Sequence, residues 1–263
     1  MTEERITGLH NPKVQALCGL VTRPGRQAAG SCLVEGVNLV REALKRSDGV
    51  RALWLSDAAS EEAILLCAYA RCRVYRVPEN IMRKISGQVT PQGILAEVKL
   101  PETPAPEALG DRIIVLEDVQ DPGNVGTILR TANAAGFTGA VLSEGSADPF
   151  SPKCLRASAG CALTLPTVIA VHLPETLRDL RARGYALMAS VLSGADFFRR
   201  TDTAKRFALM IGNEGNGLSE ALLRLATHHL SLPMPGETES LNAAVAAGIM
   251  IYDLAFRPDG QHA

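Results

Sequence analysis

The chain has 263 residues, 46% of them apolar, and its 27 Lys/Arg nearly cancel its 28 Asp/Glu. That length supports one large core or two modest ones, and a net charge of −1 excludes a global basic field as the means of holding nucleic acid. The opening MTEERITGLHNP lacks an apolar secretory core, and no run reaches the roughly 20 apolar residues of a membrane span; the expectation is a soluble cytoplasmic protein without membrane contact.

Along the first hundred residues, helical and extended patterns alternate. NPKVQALCGLV reads as a helix, SCLVEG as a strand, VNLVREALKRS as an amphipathic helix, and VRALWLS as a strand. SEEAILLCAYAR (helix), CRVYRVP (strand), PENIMRKIS (short helix) and GILAEVKL (strand) complete an α/β unit over 1–100. PETPAPEALG, 101–110, is rich in Pro, Ala and Glu without hydrophobic period and reads as a semi-rigid linker.

The alternation restarts over 111–263. Strand RIIVLEDV, loop QDPGNVG and helix TILRTANAAG are followed by strand GAVLSE and a helix near Pro152–Ser158. Then come LPTVIAV, PETLRDLRARG, YALMASVL, FALMIGNE, the loop GNG, LSEALLRLA, HHLSLP and a final helix taken to begin at Ser240, with Ser240 as its N-cap. The nearly all-apolar strands predict a parallel sheet covered on both faces, with its strand-to-helix loops on one edge.

Three of those loops carry polar groups beside glycine: Asn124 with Arg130 six residues on, Glu214 among Gly212, Gly215 and Gly217, and Ser240-Leu241-Asn242 after Pro235-Gly236. Glycine-rich backbone can offer unpaired N–H and C=O groups to a flat ligand. Neither a dinucleotide fingerprint nor a Walker loop is present. The six cysteines (Cys18, Cys32, Cys67, Cys72, Cys154 and Cys161) show no C-x-x-C pair and no zinc-like spacing, so no metal is expected.

Taken together and in this order, DPGNVGTILRTANAAGF, IGNEGNGLS and LPMPGETESLNAAVAAG, with KCLRASAG between the first two, closely resemble the SpoU (TrmH-like) RNA ribose 2′-O-methyltransferases of the SPOUT class. NPKVQAL, Arg26 and CLVEGVNLVREAL resemble the small RNA-binding domain, similar to ribosomal proteins, that many members carry. The resemblance implies a C-terminal domain with a deep trefoil knot that binds S-adenosylmethionine through Leu192, Gly212, Glu214, Leu232, Met234, Ser240 and Leu241. It implies Arg130, Asn124, Glu214, Ser240 and Asn242 as the catalytic set, with Arg130 either activating the hydroxyl or anchoring a phosphate. It further implies RNA contacts from Lys13, Arg23, Arg26 and Arg156, a homodimer through the C-terminal domain, and large-subunit rRNA as substrate. The alternatives are a tRNA methyltransferase, a non-catalytic RNA-binding protein of the same fold, and a small-molecule enzyme of doubly wound type.

Overall fold

Runs of apolar residues long enough for one strand, each followed by an amphipathic stretch opened by a capping residue, give the chain two separate sheets. The computed structural model describes residues 3–46, 49–200 and 204–256. They cluster as two units: the chain to Pro101 with Phe150–Leu163, and Glu102–Pro149 with Thr164 onward.

The first unit runs β1 (Glu3–Arg5), α1 (Pro12–Gly19), α2 (Arg23–Ala29), β2 (Ser31–Glu35), α3 (Val37–Leu44), β3 (Val50–Ser56), α4 (Glu61–Ala68), β4 (Arg73–Val77), α5 (Glu79–Ser86) and β5 (Ile94–Lys99). Its sheet has the order β1-β4-β3-β5-β2, parallel from β1 to β3 and antiparallel through β5 to β2. Helix starts are written locally: Asn11 caps α1 ahead of Pro12, and Ser60 caps α4 ahead of Glu61 and Glu62. The core gathers Trp54, Tyr75, Ile81, Ile85 and Leu95.

Helix α2 is an element the sequence reading leaves out, because Arg23-Pro24-Gly25 looks like a turn. Thr22 instead caps it, Pro24 lies in its first turn, and Gly30 ends it in the left-handed conformation. A Cβ on Gly25 would lie 2.0 Å from the Gly19 carbonyl oxygen, so the two helices meet where only glycine fits. Arg26, expected as an RNA contact, is 3% exposed. Its Nη1 donates to the Leu20 and Val21 carbonyls, each at 2.8 Å. The guanidinium thus closes the end of α1, which corrects its assignment to the surface.

The second unit begins with the segment read as a linker. Its last part forms a 3-10 turn, Pro106–Leu109, whose Leu109 is fully buried in this unit's core. There follow β6 (Arg112–Leu116), α6 (Pro122–Ala134) and β7 (Gly139–Ser143). Helix α7 (Pro152–Ala157) lies in the part that clusters with the first unit, where it packs on β2. The chain continues with β8 (Thr167–Ala170), α8 (Leu173–Ala182), β9 (Ala186–Asp196), β10 (Phe207–Ile211), α9 (Glu220–Leu225), β11 (His228–Ser231) and α10 (Ala243–Phe256).

This sheet has the order β11-β9-β10-β6-β7-β8 and is parallel throughout. All five residues of β10 are buried, as are four of the five in β6, as expected for strands covered on both faces. Helix α10 packs on α6 and β10. It starts at Ala243, not Ser240, and the Asn242 side chain accepts from the Ala244 and Val245 amides at 2.9 and 3.3 Å. Asn242 is therefore the N-cap and Ser240 is released from that duty. Among the described residues no helix is long and apolar enough to cross a membrane.

Replacing Arg26 with Met keeps the aliphatic stem but leaves two carbonyls without their donor. We expect a loss of about 2–4 kcal/mol in the first unit, read by urea denaturation; a loss under 0.5 kcal/mol would remove its structural role.

Candidate active site

Strands β6 and β10 are neighbours, yet the chain leaves them in opposite directions. From β6 it passes through α6 to β7 on one side; from β10 it passes through α9 to β11 at the far edge on the other. The loops at their carboxyl ends diverge and leave a crevice, the place where open parallel sheets bind ligands.

Polar side chains knit those loops together. Asp121 caps α6 and accepts from the Gly123 and Asn124 amides. In the β10–α9 loop, Asn213 Nδ2 donates to the Asp118 carbonyl at 2.8 Å, while its Oδ1 accepts from the Gly215 and Asn216 amides at 2.9 and 3.1 Å. Backbone bonds in both directions between Asn213 and Gly217 close the loop. At its far end Ser219 donates through N and Oγ to the Glu117 carboxylate, both at 2.7 Å. Gly212 is obligatory: an added Cβ would lie 2.2 Å from the Gly217 carbonyl carbon.

Across this frame runs a chain of amides. Asn242 Nδ2 donates to Asn124 Oδ1 at 3.1 Å, and Asn124 Nδ2 donates to Glu214 Oε1 at 2.9 Å. Glu214 Oε2 also accepts from the Gln120 amide at 3.4 Å. Burial pushes the Glu214 carboxyl up, but the donors from Asn124 and from the backbone of Glu214, Gln120 and Asp121 outweigh it and hold the group below its usual 4.5. Glu214 is accordingly a carboxylate at neutral pH.

Beside this chain lies a cavity of ≈ 690 Å³, within the range of about 300–1,000 Å³ typical of small-molecule sites. Leu192, Gly212, Glu214, Leu232, Met234, Ser240 and Leu241 all line it, as does Asn242. Leu192 arrives through a register break. His229 pairs with Ala189 but Leu230 with Ala195, so β9 leaves the β11 ladder over 190–194, and Leu192 stands 77% exposed at the rim. The walls are largely loop backbone and apolar side chains, the makings of a slot for a flat heteroaromatic group.

Other expected residues stand apart. Arg130 is exposed and has no ion pair among the described residues. Six positions along an α-helix amount to a rotation of about 120°, so it does not share the Asn124 face of α6. In the first unit Lys13 pairs with Glu4 at 2.7 Å and lies over the Tyr75 ring, Arg23 is half-buried at the start of α2, and Arg156 faces the Gln88 amide. Glu117, Asp118 and Asn213, which frame the site, escaped the sequence reading. Only the position of Asn213 beside Glu214 in IGNEGNG pointed to it.

Residues 111–252 match the SpoU rRNA methylase family. The chain belongs to that family. Residues 11–96 match the MRM3-like substrate binding domain. The 23S rRNA (guanosine(2553)-2′-O)-methyltransferase RlmP of Bacillus subtilis is 35% identical over 95% of this chain and 99% of its own length. Among solved structures, the SpoU methyltransferase AviRb from Streptomyces viridochromogenes, in complex with AdoMet, superposes with a TM-score of 0.84 at 28% identity, covering 94% of this chain and 97% of that one. An AdoMet-bound rRNA methyltransferase from Sinorhizobium meliloti gives 0.84 at 30% identity, with 96% and 97% covered. This SpoU protein is thus an RNA methyltransferase, and the small-molecule and non-catalytic readings fall away.

Asn242→Asp keeps the helix cap, and its charge suits a helix N-terminus, but it removes the donor to Asn124. Either way Asn124 then turns, one oxygen faces another. We expect unfolding stability within about 1 kcal/mol of the parent and methylation at least about tenfold slower, roughly 1.4 kcal/mol. Parent-like turnover in single-turnover assays would show that the amide chain does not matter.

Proposed function

We propose that this enzyme transfers the methyl group of S-adenosylmethionine to a ribose 2′-hydroxyl of large-subunit ribosomal RNA. The observation that carries the reading is the Asn242–Asn124–Glu214 chain at the edge of the cavity. The RlmP relative supports ribosomal RNA and the 2′-hydroxyl, and the AdoMet-bound neighbours support the donor. A tRNA substrate is the second reading.

The residues present fit that donor. Gly212 leaves no Cβ between the loop strands, Leu192, Leu232 and Leu241 offer apolar surface, and the 212–218 backbone supplies polar groups. When bound, S-adenosylmethionine supplies an electrophilic sulfonium methyl group. The protein's part is to place the hydroxyl beside it and to polarise the O–H bond. Asn124, its amide direction fixed by Asn242 and Glu214, orients the loop that faces the acceptor. Ser240, no longer a cap, lines the cavity. A guanidinium stays protonated and is a reluctant base, so Arg130 anchors the phosphate next to the reacting ribose and polarises the hydroxyl through it.

Residues 1–100 act as the RNA-binding domain and 111–263 as the catalytic domain, with Lys13, Arg23 and Arg156 as RNA contacts. Ser240-Leu241-Asn242 belongs to the threaded segment of a trefoil knot. Val245, Ile249, Tyr252 and Phe256 form an exposed apolar stripe along α10, spaced to share one helix face, and a second copy of the chain covers it.

Arg130→Ala tests the catalytic assignment. We expect methylation of ribosomal RNA to fall at least about a hundredfold while S-adenosylmethionine binding, read by calorimetry, is kept; near-normal turnover would remove Arg130 from the mechanism. Mapping ribose methylation on ribosomal RNA with and without the protein distinguishes rRNA from tRNA. Ile249→Glu puts a charge in the α10 stripe and should give a monomer in sedimentation; a persisting dimer would place the interface elsewhere.

A further inference from the structure

The cavity wall holds a second carboxylate that the catalytic frame does not use. Glu214 is tied to Asn124 and to backbone amides. Glu239 also lines the cavity, is exposed, and has no hydrogen bond or ion pair among the described residues. No Lys, Arg or His is among the described residues of the lining, so nothing on that wall offsets the two negative charges. Glu237, in the same turn, is exposed but lies outside the lining.

We propose that Glu239 is a charge selector that favours S-adenosylmethionine over the product S-adenosylhomocysteine. The proposal rests on the reading of the cavity as the S-adenosylmethionine site. At neutral pH the donor carries a sulfonium, an ammonium and a carboxylate and is a net monocation. Methyl transfer breaks the S–CH3 bond, whose electron pair stays on sulfur as a thioether, forms the O–CH3 bond, and passes the hydroxyl proton to solvent water, so the spent cofactor is neutral overall. A carboxylate with no partner of its own attracts the cation and is indifferent to the thioether. It needs no direct contact, because Coulomb attraction in a half-open cavity reaches several ångströms and is screened only by salt. The gain is kinetic as well: the reaction erases the charge that held the ligand, and the spent cofactor leaves more easily.

Glu239→Gln, in the full-length chain, is the test, with Glu237→Gln as the control from the same loop. Calorimetry at low and high salt would measure S-adenosylmethionine, S-adenosylhomocysteine and sinefungin, in which an amine replaces the sulfonium. Expected is an about three- to tenfold loss for S-adenosylmethionine and for sinefungin, little change for S-adenosylhomocysteine, and a smaller difference in high salt. Glu239→Lys should deepen the loss, and Glu237→Gln should leave all three affinities as they are. Equal weakening of donor and product would mean that Glu239 holds the shared ammonium and would overturn the selector. No change in any ligand would overturn it too. Binding of none of the three ligands by the parent chain would instead sink the cofactor reading itself.

Discussion

The structure of this site depends on the direction of one side-chain amide. Asn242 has its oxygen committed to the first amides of α10, so only its nitrogen is free to turn toward Asn124. An amide has one acceptor end and one donor end. Once Asn124 accepts from Asn242, its own nitrogen must face Glu214, which must then be an acceptor and is kept ionised. A helix cap thus favours the ionised form of a carboxylate 28 residues away in sequence but two hydrogen bonds away in space. Chains of this kind strengthen one another and are sensitive to any member's loss.

The chain of amides exists because the sheet brings its three loops to one edge. Register between β6 and β10 aligns Leu116 with Ile211, so the residues after them, Glu117 and Gly212, leave the sheet side by side. Asn213 then holds Asp118 just before Glu214, and Glu117 holds Ser219 beyond it. Each tie fixes loop backbone that would otherwise be free to collapse into the cavity. The apolar strands supply the cohesion, and the polar ties convert a rigid sheet end into a defined wall.

Much of this was legible in the sequence for a physical reason. Apolar runs and capping residues act locally, so nearly every strand and helix could be placed, and three polar loops could be assigned to one sheet edge. The residues later found around one cavity were named from a family resemblance in those loops. What escaped depends on distant neighbours. Ser240 looks as good a cap as Asn242 until the entry angle of α10 is known. Arg26 looks like any surface arginine until α1 and α2 fold back on each other at Gly25. Helix α2 hid behind a Pro-Gly pair that reads as a turn, and Phe150–Leu163 gave no sign of clustering with the first unit.

Charge is divided along the chain in a way that suits two ligands of opposite sign. Up to Ala105 there are 14 Lys/Arg against 11 Asp/Glu, and beyond it 13 against 17. An RNA substrate is a polyanion whose binding rests on cations facing phosphates, whereas S-adenosylmethionine is a cation. On the proposed reading, a cavity lined by Glu214 and Glu239 without any described cation would repel phosphate and attract the cofactor, keeping RNA from the slot that the methyl donor needs. Arg130, off the Asn124 face of α6 and without an ion pair among the described residues, is on the proposed reading the cation that takes the phosphate. A lysine or arginine inside the cavity would reverse both preferences at once, which is a physical reason for its walls to be built from backbone, leucine and carboxylate.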